Sequence, residues 1–262
     1  MFLPLQQASH SREPVAATLR ILPSFAPPRQ CTAVEENKMS KHLERDLEYL
    51  HREILALSSL VEDMSDRANR ALRTRDPDLA ASVVASDEEI DQREVRIEEE
   101  CLKMLALHQP AATTLRRIAT VLKVNSDLER IADLNVNIAE RATSLAEHRD
   151  FPVPEKFYHM ADLSVQMVQG ALDAFVNMDT QVARRICRLD DQVDRLNDEI
   201  IADLQRQMQR DPNAVVPALH FFSVTRHIER IADHATNIAE DVIYLVEGEI
   251  ARHKPVSQMA DR

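Results

Sequence analysis

The stretch that decides the fold occurs twice: "SDLERIADLNVNIAERA" at residues 126–142 and "RHIERIADHATNIAEDV" at residues 226–242. Each copy places two carboxylates four residues apart, Glu129 and Asp133 in the first, Glu229 and Asp233 in the second. An Asn follows after four more residues and a Glu after three more: Asn137 and Glu140, then Asn237 and Glu240. At about 100° per residue these positions share one narrow stripe of a helix. Leu128, Ile131, Ile138, Ala139, Ala142 and Leu145 fall on the opposite side. The apolar face packs, and the acidic stripe lies away from it.

The repetition extends well beyond this stretch. "RTRDPDLAASVVASDEEID" aligns with "VNMDTQVARRICRLDDQVD" at an offset of 103 residues, which matches Asp76 with Asp179, Asp87 with Asp190 and Asp91 with Asp194. The later stretch aligns at an offset of 100, so the missing residues belong in a loop. This is an internal duplication of about a hundred residues. Prolines 77, 110, 152, 154, 212, 217 and 255 punctuate long periodic stretches. They predict six helices, roughly 40–74, 78–107, 112–148, 155–176, 180–210 and 215–247, with Gly248 as a C-terminal cap. The expected fold class is all-α: two tandem three-helix bundles, antiparallel within each because the connections are short. The expected organisation is a non-periodic N-terminal extension over 1–38, bundles over 39–150 and 151–254, and a tail over 255–262. The extension is Pro-rich and reads as disordered or as the product of an upstream start, with Met39 as the true beginning.

Composition supports this class. Among 262 residues there are two glycines and no tryptophan, which argues against phosphate-binding glycine loops and dinucleotide folds. A net charge of −12 repels nucleic-acid phosphates. Three cysteines, Cys31, Cys101 and Cys187, form no CxxC pair and fit a reducing, cytoplasmic setting. No run of apolar residues is long enough to insert into a membrane.

The second helix carries its own acidic stripe, with Asp87, Asp91, Glu94 and Glu98. Asp91 and Glu129 each lie 19 residues from Pro110, and Asp87 and Asp133 each lie 23 from it. An antiparallel hairpin turning there brings the four to one height. The second repeat does the same about Asp211-Pro212, with Asp190, Asp194, Glu229 and Asp233. A single acidic stripe is an ordinary solvated face, and Arg116, Arg117, Arg130 and Arg230 stand near enough to neutralise one. Two stripes, each with a partner pair at mirror distance, point to cation binding, because like charges four residues apart repel. Oxygen-only ligand sets suit Mg, Mn or Ca and also hold iron. Asn137, Glu140, Asn237 and Glu240 are further ligands or supports. Glu48-x-x-His51 occurs once and outside the stripes, so chance accounts for it. His227 and His234 flank the second stripe, where the first repeat has Asp127 and Leu134. No Ser/His/Asp or Cys/His set can be assembled.

The residues "QPAATTLRRIATVLKVNSDLERIADLNVNIAERA" (109–142), "HIERIADHATNIAEDVIYLVEGE" (227–249) and the start "MSKHLERDLEYL" (39–50) resemble the PhoU family of bacterial phosphate-transport regulators. The resemblance covers about residues 39–250. It departs at Ala132 and Ala232, where many relatives have Gly, and at Thr114, where many have Asp. It implies two similar three-helix bundles. It implies iron or zinc at Asp87, Asp91, Glu129 and Asp133, and at Asp190, Asp194, Glu229 and Asp233. It also implies a cytoplasmic, non-enzymatic negative regulator of the phosphate-starvation response. Such a protein links the ATPase subunit of the phosphate ABC transporter to a membrane sensor histidine kinase, and stands beside the membrane through these partners. The expected assembly is a homodimer. A multinuclear metallohydrolase or a metal-storage protein is the alternative use of the same carboxylates.

Overall fold

In the computed structural model, residues 41–248 are described; the N-terminal extension, Ser40, Cys31 and the C-terminal tail lie outside them. The elements are α1 (Lys41–Thr74), α2 (Pro77–Ala85), α3 (Asp87–His108), α4 (Ala112–Leu145), α5 (Glu155–Asn177), α6 (Thr180–Arg210) and α7 (Val215–Glu247). Short 3-10 turns follow α4 at Ala146–His148 and precede α7 at Pro212–Ala214. Among the described residues there is no strand.

The two repeats use the same local chemistry. Arg75 and Met178, equivalent in the duplication, both adopt a left-handed backbone, with φ of 52° and 54°. In each case the next amide closes the preceding helix: Asp76 N donates to Ala71 O at 3.3 Å and Asp179 N to Ala174 O at 3.0 Å. Each aspartate then caps the helix that follows. Asp76 accepts from the amides of Asp78 and Leu79, and Asp179 from those of Gln181 and Val182. Pro217 sits in the first turn of α7, where a missing amide hydrogen leaves no intrahelical bond unmade.

The second rod differs from its expected form. The sequence predicts one helix over 78–107; Ser86 interrupts it for a single residue between α2 and α3. The Ser86 hydroxyl donates to Val83 O at 2.7 Å, and Arg67 reaches across from α1 to Ser86 Oγ and to Ser82 O. The side chain thus competes for a carbonyl that the helix would use. The equivalent position in α6 is Leu189, which has no such group, and α6 is continuous.

One apolar core runs through both repeats. The repeats meet chiefly along α4 and α7, which pack on each other more extensively than α4 packs on α3. These two helices run antiparallel, since Arg116 near the start of α4 lies over Tyr244 near the end of α7. The linker between repeats is fastened by the buried Arg75, which donates to His148 O and Phe151 O while its guanidinium lies 5.6 Å from the Phe221 ring. Phe151 stacks on Phe221 at 5.4 Å, and Phe157 meets Phe221 edge-on at 4.9 Å.

Candidate metal centres on the paired helices

In the first repeat α3 carries Asp87, Asp91 and Glu94, and α4 carries Glu129 and Asp133. Asp87, Glu94, Glu129 and Asp133 are half-buried between the helices, while Asp91 is exposed. The charges act on one another across the hairpin. Burial, then Asp91 on the same helix and Asp133 on the opposite one, push the Asp87 carboxyl above its ordinary value. Burial, followed by the neighbouring Asp133, raises Glu129 to about 7 against the partial relief of Arg130, and Glu94 adds to the rise from across the interface. Burial with Glu98 and Asp91 raises Glu94. Arg130 is the local counter-charge, 3.3 Å from both Glu129 Oε2 and Asp133 Oδ2.

The second repeat gathers Asp190 and Asp194 from α6 and Glu229 and Asp233 from α7. Asp190 and Glu229 are half-buried; Asp194 and Asp233 are exposed. Partial desolvation by the surrounding helices, then Glu229, Asp190 and Asp194, raise Asp233 to about 6 although its side chain still reaches solvent. Asp190 is raised by burial, by Asp194 and, across the helices, by Glu229. Burial and the neighbouring Asp191 and Asp198 raise Asp194. Arg226 plays the part of Arg130, with Nη1 3.1 Å from Glu229 Oε1.

The acidic stripes are therefore less outward than a helical wheel implies, because α3 and α6 cover the inner edge of each. One buried acceptor in each cluster, Asp87 Oδ1 and Glu229 Oε2, has no hydrogen-bond partner. These are the atoms a cation would satisfy, so the donor set fits one in atom type and charge. Among the described residues no three His, Cys, Asp or Glu side chains stand close enough together to hold a metal ion as they lie.

Of the further candidates, Asn137 donates to its own helix at Asp133 O, 2.7 Å away, and Glu140 is exposed. Asn237 Nδ2 reaches Asp127 Oδ1 of the other repeat at 3.4 Å, and Glu240 is close enough to Cys187 to raise that thiol after burial has done so. His51 takes no part in either cluster; its burial and Arg52 lower its pKa. His227 Nε2 lies 3.2 Å from Ser223 Oγ on its own helix.

Two features were not evident from sequence spacing. Glu94 joins the first cluster from α3: its carboxylate accepts from Asn125 Nδ2 at 3.2 Å on α4, and it adds to the rise of Glu129. Its counterpart in the second repeat is Asn197, so the clusters differ in charge. Secondly, Asp127 and His234, which look like accidental departures from the repeat, contact each other: His234 Nδ1 lies 2.8 Å from Asp127 Oδ1. Nearby, Lys123 Nζ is 2.9 Å from Asp241 Oδ1, and Asp241 is only 2 % exposed.

The class this architecture defines is a duplicated three-helix body with a carboxylate cluster in each half, in which no described helix is long and apolar enough to cross a membrane. The chain belongs to the PhoU family: the PhoU domain matches twice, at residues 54–142 and 157–242. It is 38 % identical over 217 residues to the phosphate-specific transport system accessory protein PhoU homolog of Aquifex aeolicus, covering 83 % of this chain and 98 % of that one. The phosphate-specific transport system accessory protein PhoU of Serratia marcescens is 33 % identical over 224 residues, covering 84 % and 92 %. The crystal structure of PhoU from Pseudomonas aeruginosa superposes with a TM-score of 0.75 at 39 % identity, covering 79 % of this chain and all of that one. The phosphate transport system regulatory protein PhoU from Streptococcus pneumoniae gives 0.73 at 28 % identity, covering 80 % and 99 %. These relatives bear the names of accessory and regulatory proteins, not of enzymes.

Proposed function

We propose that this protein is a cytoplasmic, metal-binding adaptor that holds the phosphate-starvation response off while phosphate is plentiful. It does so by linking the ATPase subunit of the phosphate ABC transporter to a membrane sensor histidine kinase. Family membership supports a role in regulating phosphate transport. The observation that carries the metal reading is the repeated carboxylate cluster, in which neighbouring acids push one another's pKa values up in both halves of the chain. Such a cluster favours a bound cation, because the cation removes the repulsion that the fold has built in.

Asp87, Asp91, Glu129 and Asp133 would hold metal in the first repeat, with Glu94 beside them. Asp190, Asp194, Glu229 and Asp233 would do so in the second. Iron and zinc are the expected ions, and the oxygen donors also accept Mg, Mn or Ca. The cation supplies charge neutralisation and a fixed arrangement of the outer helix faces. Arg130 and Arg226 hold the outer carboxylate oxygens in place. The expected assembly is a homodimer.

The test has two arms. Protein purified without chelator or added metal is analysed for metal content, alone and as the Asp133→Ala/Asp233→Ala variant. The variant is expected to keep its helical signal and lose metal; retention of full metal content overturns the cluster assignment. Deletion in the source cell is expected to raise phosphate-starvation genes in phosphate-rich medium. If those genes stay silent and uptake is unchanged, the regulatory reading is wrong.

A further inference from the structure

The outward face of α7 changes character along its length. Taking about 100° per residue, Val215, Leu219, Phe222, Arg226, Glu229 and Asp233 all fall within an arc of about 80°. The first three are apolar yet exposed, Leu219 at 53 %, and Val216 beside them is exposed at 54 %. Packing does not require this: inward-facing Pro217, Ala218, Phe221 and Val224 already bury the other side of the helix. In α4 the equivalents are Leu115, Arg116, Ala119 and Leu122, so the first repeat keeps two of the four apolar positions and this repeat fills all four. Roughly 10 to 20 Å further along the same face lie Glu229 and Asp233, with Asp190 and Asp194 beside them on α6.

The geometry points to a docking surface on α7 for an amphipathic helix of a protein partner, one whose apolar residues cover Val215, Val216, Leu219 and Phe222 and whose Lys or Arg residues lie two to three turns away against Glu229 and Asp233 when no metal ion is held there, so that metal and partner compete for the same carboxylates. This rests on the adaptor reading and names the surface that reading lacks. Charge selects the occupant. An anionic membrane surface is repelled by the carboxylates that continue the apolar stripe. A second copy of this chain, itself at −12, could match the apolar half by two-fold pairing but would leave the acidic half uncovered or opposed by like charge. A helix with apolar anchors and a basic end satisfies both halves, in the manner of helix-in-groove recognition.

The test uses the chelator-treated full chain and a labelled peptide of about 20 residues, ~30 Å long as a helix, with leucines along half of one face and lysines along the other half. Binding is followed by anisotropy at low and moderate salt. Wild type is expected to bind the peptide, to bind more weakly as salt rises, and to reject a version with glutamates in place of lysines. Leu219→Ser/Phe222→Ser is expected to lose affinity about tenfold or more, with unchanged helical signal and, before chelation, unchanged metal content. Equal binding by that variant, or equal binding of the glutamate peptide, overturns the proposal. So does sedimentation showing that wild type self-associates through these residues, or pelleting with vesicles of phosphatidylglycerol that the variant abolishes. In the source cell the same double variant is expected to raise starvation genes as deletion does. If deletion raises them and the variant does not, this surface is wrong while the adaptor reading stands; if deletion does nothing, the adaptor reading itself has failed.

Discussion

Replacing Glu129 with Gln is expected to stabilise the metal-free protein at pH 8 and to change little at pH 5. Glu129 is a carboxyl moved from 4.5 to about 7 by burial and by Asp133. Each tenfold displacement of a proton equilibrium corresponds to about 1.4 kcal/mol, so ionising Glu129 in the folded state costs about 3–4 kcal/mol before solvent is considered. The side chain is 24 % exposed, and solvent brings this nearer 1–2 kcal/mol. Because the folded-state value lies above the unfolded one, the folded state holds the proton more tightly. That stability is fully present below the ordinary value of 4.5 and is lost as pH rises through about 7. Gln is neutral throughout and its amide can still donate to Asp133. Chelator-treated E129Q should therefore melt about 2–6 °C above wild type at pH 8 and within error of it at pH 5, by calorimetry or helical signal. With metal bound the sign should reverse, since the substitution then removes a ligand. A lower Tm for E129Q at pH 8 in chelator would refute the claim that the cluster stores repulsion.

Lys123→Met removes the cation 2.9 Å from the buried Asp241; a loss of about 2–3 kcal/mol is expected, read as a fall in the urea midpoint at pH 7. Phe221→Ala takes out the ring on which Phe151 and Phe157 pack, and should cost about 3–5 kcal/mol and loosen the linker to proteolysis near Phe151. Cys101 and Cys187 are buried, with thiols pushed up to about 12 chiefly by that burial. Mapping after alkylation at pH 8 should find both unmodified in the native protein and modified only after unfolding.

The helices were legible because two independent signals coincide, the prolines and the apolar period. Their ends fall within a few residues of expectation, and α6 and α7 match at both ends. The break at Ser86 was hidden because it depends on Arg67, fifteen or more residues away in sequence and on another helix. The meeting of α3 and α4 was legible from distances to Pro110, which place Asp87 opposite Asp133. The count did not bring in Glu94, which also acts on Glu129 from across the hairpin. Real hairpins shift by part of a turn, and a count of residues has no information on that shift. Half-burial of the carboxylates was likewise out of reach, since a helical wheel shows one helix and not the neighbour that covers its edge. The Asp127–His234 contact joins residues 107 apart, and neither has a motif around it.

That contact bears on how such a chain can evolve. Antiparallel α4 and α7 are related by the duplication, so positions 127 and 234 have twins at 227 and 134. The first pairs Asp with His; the residues at the twin positions are His227 and Leu134, which cannot form such a pair. In a homodimer of identical halves any substitution at the seam appears on both sides at once, and an Asp suited to one contact would be imposed on the other. Joining the halves into one gene removes that constraint. Each side of the seam can then mutate separately, and a change on one repeat can be answered by a change on the other alone. The halves have thereby become specific to each other, and neither could be exchanged for a second copy of its sibling without leaving Asp127 or His234 facing the wrong residue.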